Sequence, residues 1–262
     1  MKLAIYQPDI VWEEPEANFR KLERVLDAAD LHGVQLLCLP ELFSIGFTMN
    51  PSLAETESGK TVTFLRSLAK KHKLFVVGTF LEKGNPRPRN TVLLINAHGE
   101  VIHKYAKVHL FSLDKEHECF EPGSDPGMFS LDGVNAGFVI CYDLRFPELF
   151  RLMMTDKKRR PSIFIVPANW PAVRITHWKT LLQARAIENQ AFVIGINRVG
   201  ESPLAKYCGN SIVIDPLGAV ILDAQDKEGL HVVDIDLSMA EAIRSKFPFL
   251  DDRKTDWYKK NM

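Results

Sequence analysis

The sequence predicts an α/β protein in which the chain runs twice through the same strand and helix rhythm. Three features carry that prediction. Short apolar segments stay at strand length, amphipathic segments with apolar residues three and four apart lie between them, and the alternation restarts near residue 136. The 262 residues are 46% apolar and 25% charged, an ordinary globular composition. At about 150 residues per domain the length allows one large domain or two small ones. No low-complexity linker interrupts it and no motif repeats, so one domain over 1–262 is expected.

The elements follow in order. Leu3 to Tyr6 is a strand, and Ala17 to Leu31 a helix with Phe19, Leu22, Leu26 and Ala29 on one face and Gly33 just beyond its end. Val34 to Leu39 completes a β-α-β opening. A second helix, about Thr61 to His72, leads into the strand Leu74 to Phe80, and Asn90–Asn96 and Val101–Tyr105 form a hairpin turned by Ala97-His98-Gly99-Glu100. A loop rich in charge, Pro and Gly spans Ser112 to Gly127. The rhythm then restarts with strand Ala136–Cys141, helix Pro147–Met154, strand Ile163–Val166, helix Ile175–Gln190 and strand Phe192–Asn197. Short strands at Ser211–Asp215, Ala219–Leu222 and Leu230–Ile235 close the fold around Pro216-Leu217-Gly218. The tail, about 247–262, is charged but carries Trp257 and Tyr258, so it is expected to pack on the body or on a partner subunit.

Lys+Arg and Asp+Glu are both 33, so no net field draws the chain to nucleic acid or to an anionic membrane. The apolar runs fall short of the roughly 18–20 residues of a membrane helix. Pro8 and Asp9 interrupt the N-terminus before a signal-peptide core can form, so a cytoplasmic protein with free Cys38, Cys119, Cys141 and Cys208 is expected. His103, His109 and His117 with these thiols are the material for a zinc site, but no C-x-x-C or H-E-x-x-H spacing occurs, and no metal is expected. The signatures of serine hydrolases, P-loops and dinucleotide sites are absent as well. Trp170 and Trp178 are expected in the core or in a pocket wall.

Three strand exits carry reactive groups: Glu41 after an apolar strand and Pro40, Lys107 at the end of the hairpin, and Cys141 at the end of another apolar strand. A thiol with an ordinary pKa near 8.5 is only a few per cent ionised at neutral pH and needs a base or a positive neighbour. Glu41 and Lys107 supply one of each. The Lys ammonium and the backbone N–H of Tyr142 can stabilise an oxyanion, and Glu116 in the following loop can hold Lys107 charged. Cys38, ahead of Pro40, reads as a packed core thiol, as do Cys119 and Cys208. Spacing alone does not bring these segments together.

Leu39-Pro40-Glu41, Tyr105-x-Lys107-x-His109-Leu110-Phe111 and Ile140-Cys141-Tyr142-Asp143-Leu144-Arg145-Phe146-Pro147-Glu148 resemble the three motifs of the nitrilase superfamily, the carbon-nitrogen hydrolases with a Glu-Lys-Cys site. Further similarity runs through Pro167-Ala168-Asn169-Trp170, the segment from Leu182 to Asn189, Asn197-Arg198-Val199-Gly200, Gly209-Asn210-Ser211 and Asp215-Pro216-x-Gly218. The resemblance implies a four-layer α-β-β-α sandwich, commonly a homodimer, with Glu41, Lys107 and Cys141 catalytic and no cofactor. It also implies a second catalytic glutamate about seven residues before a Gly. Glu116 stands so before Gly123, with Glu118 and Glu121 as rivals.

Arg145, four residues past the nucleophile, is a candidate for binding a substrate carboxylate or else a buried ion-pair partner. Asn169 and Trp170 are weaker substrate-binding candidates, and Arg185 with Glu188 reads as a structural ion pair. The compact length and the cysteine motif resemble the omega-amidase branch, which hydrolyses the terminal amide of 2-oxoglutaramate or 2-oxosuccinamate. N-carbamoyl amino acid hydrolysis, deaminated-glutathione amide hydrolysis and nitrile hydrolysis are the alternatives, and a glutamine-dependent NAD synthetase does not fit in this length. From other classes, a non-catalytic binding protein would have no use for the polar cluster, and a thiol redox protein would need a second Cys beside Cys141.

Overall fold

In a computed structural model, which describes residues 1–261, the first half of the chain forms β1 (Lys2–Gln7), α1 (Pro15–Ala28), β2 (Val34–Cys38), α2 (Lys60–His72), β3 (Phe75–Glu82), β4 (Arg89–Ile95) and β5 (Val101–Ala106). A one-turn helix α3 (Glu116–Cys119) and β6 (Gly127–Leu131) lead to β7 (Val134–Phe138), α4 (Pro147–Met153), β8 (Ile163–Pro167), α5 (Ile175–Asn189) and β9 (Phe192–Ile196). The small pair β10 (Val199–Glu201) and β11 (Lys206–Cys208) precedes β12 (Ile212–Ile214), β13 (Val220–Asp223), β14 (Gly229–Asp234), α6 (Ser238–Lys246) and α7 (Thr255–Asn261). Met262, the last residue of the tail, lies outside the described residues.

Two six-stranded sheets result, ordered β14-β1-β2-β3-β4-β5 and β13-β12-β9-β8-β7-β6. They share one plan. Three parallel strands, β1-β2-β3 or β7-β8-β9, are extended on one side by an antiparallel pair and on the other by a single antiparallel strand. The doubled rhythm of the sequence is this duplicated sheet plan.

Strand alternation sorts the core into layers. Leu3, Ile5, Leu36, Cys38, Val92 and Leu94 face the other sheet, where Phe129, Ala136, Phe138, Ile163 and Ile165 meet them. Ala4, Tyr6, Leu37, Leu39, Leu93 and Ile95 point the opposite way, onto Leu22 and Leu26 of α1 and Val62, Leu65 and Leu68 of α2. On the second sheet, Phe150 and Met153 of α4 and Trp178, Leu182 and Ala186 of α5 cover the outer face. Helix α5 lies close enough to β9 that a Cβ on Gly195 would sit 2.5 Å from Leu182 Cδ1 and 2.7 Å from the Trp178 ring, so only Gly fits there. The layers are therefore α-β-β-α, as the resemblance implied.

The sequence-predicted boundaries differ from these by a few residues: the first helix begins at Pro15 and ends at Ala28, ahead of the expected Leu31. More is changed at Cys141. The expected strand runs to Cys141, but β7 ends at Phe138, and Cys141 begins a 3-10 turn over Cys141–Arg145. The loop expected over Ser112–Gly127 contains α3, and its last residue, Gly127, already opens β6.

Candidate active site

The C-terminal ends of β2, β7 and β8 and the end of β5 converge where the two sheets meet, so Glu41, Cys141, Asn169 and Lys107 leave four different strands into one space. Glu41 follows Pro40 in a turn held by Thr79, whose hydroxyl donates to the Pro40 carbonyl at 3.1 Å and accepts the Leu42 N–H. Its carboxylate is fully buried. Oε1 accepts from Lys107 Nζ at 3.0 Å and from Asn90 Nδ2 at 2.8 Å, and Oε2 accepts from the Asn169 N–H at 2.9 Å.

Lys107 is equally buried, between Glu41 and Glu116, with Nζ 2.9 Å from Glu116 Oε2 and 5.0 Å from the centre of the Phe47 ring. Its backbone is clamped on both sides: its N–H donates to the Asn90 carbonyl at 2.9 Å, and its carbonyl accepts the Gly123 N–H at 2.8 Å. A Cβ on Gly123 would lie 2.2 Å from the Ala106 oxygen, which explains why a glycine follows Glu116 at that spacing. Glu116 also accepts the Phe111 N–H at 2.7 Å, so it fixes the loop beyond the lysine as well as the ammonium. The rival carboxylates turn elsewhere, Glu121 to Arg87 at 2.7 Å and Glu118 toward Lys115 at 3.9 Å on the surface.

Burial would strip the proton from Lys107, but the charges of Glu116 and Glu41 overcome that and hold the ammonium above its ordinary range. Burial pushes the Glu116 carboxyl up against the pull of Lys107, and the nearby Glu41 charge adds to the push. The Cys141 thiol is raised well above its ordinary value by burial and by Glu41, while Lys107 and the Asn169 N–H pull it down. At rest the sulfur is a neutral thiol near the Lys107 ammonium. A base has to take its proton before it can act as a nucleophile.

Cys141 itself sits at φ +46°, a left-handed conformation that costs a non-glycine residue about 1–3 kcal/mol and persists only where neighbours impose it. Asp143 imposes it from within the turn. Its carboxylate is fully buried and accepts the Ile140 N–H at 3.0 Å, the Tyr105 hydroxyl at 2.7 Å, and both the backbone N–H and the ring Nδ1 of His109 at 2.8 Å. Arg185 grips the far end, donating from Nε and Nη2 to the Leu144 carbonyl at 3.1 and 2.8 Å while pairing with Glu188 at 3.1 Å.

Above Cys141 and Lys107 opens a cavity with about 410 Å³ of empty space, including its mouth. Phe47, Phe111, Tyr142, Trp170 and Tyr207 wall it, Arg145 and Arg174 supply cations, and Asp114 is the acidic residue of the rim. Arg145 lies 4.9 Å over the Trp170 ring. Asn169 borders the cavity, but its side-chain NH₂ is committed to the Glu41 carbonyl at 2.6 Å, so its main contact is with Glu41. Sequence reasoning missed Asn90, Asp143 and Arg174. Asn90 opens an ordinary strand and carries no local signal, whereas Asp143 stands inside the quoted cysteine motif and Arg174 four residues past the quoted Trp170, and both could have been flagged as charged residues near a reactive strand end.

The chain and its double sheet resemble known proteins. A carbon-nitrogen hydrolase family model matches residues 2–245. The chain belongs to the carbon-nitrogen hydrolase family. It is similar to the 2-oxoglutaramate amidase of Bacillus subtilis, 36% identical over 259 residues and covering 98% of each chain, and to the omega-amidase YafV of Escherichia coli K12, 34% identical over 96% of each. Among solved structures it resembles a CN-hydrolase superfamily protein from Xanthomonas campestris that carries an arsenic adduct in its active site, with a TM-score of 0.89 and 30% identity over 97% of each chain.

This carbon-nitrogen hydrolase is thus an enzyme that cleaves C–N bonds. All four of its cysteines are free, and Cys38 is buried in the core between the sheets, where burial raises its pKa. Among the described residues no three His, Cys, Asp or Glu side chains are grouped to hold a metal ion, and no helix is long and apolar enough to cross a membrane.

Proposed function

We propose that the protein is an omega-amidase, which cleaves the terminal carboxamide of 2-oxoglutaramate or 2-oxosuccinamate to the dicarboxylate and ammonia through an acyl-thioester on Cys141. The observation that carries this reading is the buried Glu41–Lys107–Glu116 cluster beside Cys141, with an arginine-lined cavity directly above it. The relatives named for the same activity support it.

Glu41 takes the thiol proton as Sγ attacks the carboxamide carbon, and the carbonyl electrons move to oxygen. Lys107 and the Tyr142 N–H stabilise that oxyanion; the N–H groups at the start of a short helical turn have no partner within it. Collapse breaks the C–N bond, and the nitrogen leaves as ammonia with the proton from Glu41. Water, giving its proton to Glu41, then attacks the thioester, and the released sulfur takes the proton back. Glu116 keeps Lys107 charged and in place. Arg145 binds the substrate carboxylate, the ring of Trp170 supports it, and Asn169 Oδ1, buried with no partner among the described residues, is available to the substrate amide.

The chain acts as one domain. Leu250 is buried and Asp251 pairs with Lys157 and with Arg160, at 2.9 Å to the latter, which supports the start of the tail lying on the body, whereas Trp257 and Tyr258, expected to pack, stay exposed at 62% and 42%. A cytoplasmic homodimer fits the free thiols and the exposed Leu152, Ile187, Leu217 and Trp257. The test follows hydrolysis at equal concentration, by ammonia release from 2-oxoglutaramate, an N-carbamoyl amino acid and an aliphatic nitrile, and by cysteinylglycine release from deaminated glutathione. The proposal expects kcat/KM to be highest for 2-oxoglutaramate, and a higher value for any of the others reassigns the substrate.

A further inference from the structure

Arg145 and Arg174 face the same cavity, and among the described residues neither has a carboxylate within ion-pair distance. Asp114 on the rim pairs with neither. Arg145 instead turns its guanidinium to the Trp170 ring at 4.9 Å and to His177 Nδ1 at 3.3 Å. Arg174 lies 5.4 Å over the Phe111 ring. Burial disfavours the charged form of Arg145, and the charge of Arg174 disfavours it further. Two guanidinium groups near enough to repel each other, facing a cavity without an anion of their own, present a vacancy for one negative charge.

One residue arranges both. The Trp170 indole N–H donates to the Arg174 carbonyl at 2.8 Å and fixes the turn that starts α5, while the face of the same ring supports Arg145. Trp170 is only 2% exposed, and Asn197 holds its backbone from both sides, accepting its N–H at 2.8 Å and donating to its carbonyl at 3.1 Å. The second indole, Trp178, backs it at 5.4 Å. The indole that supports the Arg145 guanidinium and holds the Arg174 backbone is thus itself anchored on several sides.

We infer that Arg174 joins Arg145 as a two-armed receptor for the carboxylate of the substrate, and that Trp170 is the positioning residue that sets the two arms. This rests on the amidase reading above and deepens it. The enzyme selects amides that carry an anionic group at the far end and leaves neutral amides of the same length unanchored. Arg174 touches the substrate but not the reacting carbon, so its loss acts chiefly on KM.

The experiment compares kcat/KM for succinamate with that for levulinamide, in which a methyl ketone replaces the carboxylate, in the wild type, Arg174→Ala, Arg174→Lys and Trp170→Phe. The inference predicts that the succinamate-to-levulinamide ratio falls by at least about 30-fold in Arg174→Ala, mostly through KM. Arg174→Lys restores part of it, because a point charge remains while the planar fork is lost. Trp170→Phe, which keeps a ring under Arg145 but loses the N–H, lowers the ratio less than Arg174→Ala does. A ratio unchanged in Arg174→Ala, whether both rates fall together or neither does, overturns the inference.

A wild-type ratio of one or below also overturns it while leaving the amidase reading intact. If the wild type hydrolyses neither amide nor 2-oxoglutaramate, the amidase reading fails instead. Calorimetric titration of succinate into Cys141→Ala protein then decides the receptor alone: binding weakened by adding Arg174→Ala supports it, and equal binding overturns it.

Discussion

The Tyr105 hydroxyl donates to the Asp143 carboxylate at 2.7 Å, and that bond ties the strand ending in Lys107 to the turn that carries Cys141. Burial and the adjacent Asp143 charge raise the Tyr105 pKa well above its ordinary value, so the phenol stays protonated and remains a donor wherever the enzyme works. The ammonium and the sulfur come from different sheets, and their relative position depends on this contact and on the two bonds from His109.

Tyr105→Phe removes one donor from a buried carboxylate that keeps three others. The expected loss is about 1–3 kcal/mol of unfolding free energy, measured by denaturant titration, together with a fall in kcat larger than any change in KM. A variant as stable and as active as the wild type would show that Asp143 is held adequately by His109 and Ile140 alone.

Glu41→Gln preserves side-chain volume but removes the proposed base. The rate should fall by about 10²- to 10⁴-fold. The thiol should move in the opposite sense from a simple loss of function: the Glu41 charge raises the Cys141 pKa and Lys107 lowers it, so without Glu41 the thiolate forms at lower pH. The pH dependence of iodoacetamide labelling, read on the Cys141 peptide by mass spectrometry, should shift downward. An upward shift would contradict the electrostatic account.

Lys107→Met leaves Glu41 and Glu116 buried against each other without a cation. Breaking such a pair costs about 3–5 kcal/mol. The pH dependence has a defined sign. Burial already raises the Glu116 carboxyl, and losing Lys107 raises it further. A carboxyl whose folded pKa lies above its unfolded value favours the folded state at low pH and loses that contribution as pH rises through the folded pKa. Relative to the wild type, Lys107→Met should therefore gain stability as pH falls from neutrality toward the ordinary carboxylate range. Adding Glu116→Gln should recover part of the loss at neutral pH, and a further loss in the double variant would contradict the reading.

Much of this was legible in the residues. Apolar alternation and the restart near Ala136 marked the duplicated sheet plan, because period-two and period-3.6 patterns are local properties of the chain. Glu41, Lys107 and Cys141 stood out as reactive groups at strand exits. Their meeting was not legible, since it depends on pairing across the two sheets. Asn90 is polar at a strand start like many others, yet it donates to both Glu41 and Glu116. The break of β7 before Cys141 also escaped: Val139 and Ile140 continue the apolar pattern, and only the bonds of Asp143 turn the chain. Strand β6 carried a usable signal, the Asp132-Gly133 turn between β6 and β7, with both residues at positive φ.

The most direct test of the central claim is ammonia release from 2-oxoglutaramate by the wild type and by Cys141→Ala, run side by side on protein shown to be folded. The account predicts steady release by the wild type and none by the variant. Release by Cys141→Ala at a rate near that of the wild type would remove Cys141 as the nucleophile and with it the acyl-thioester path.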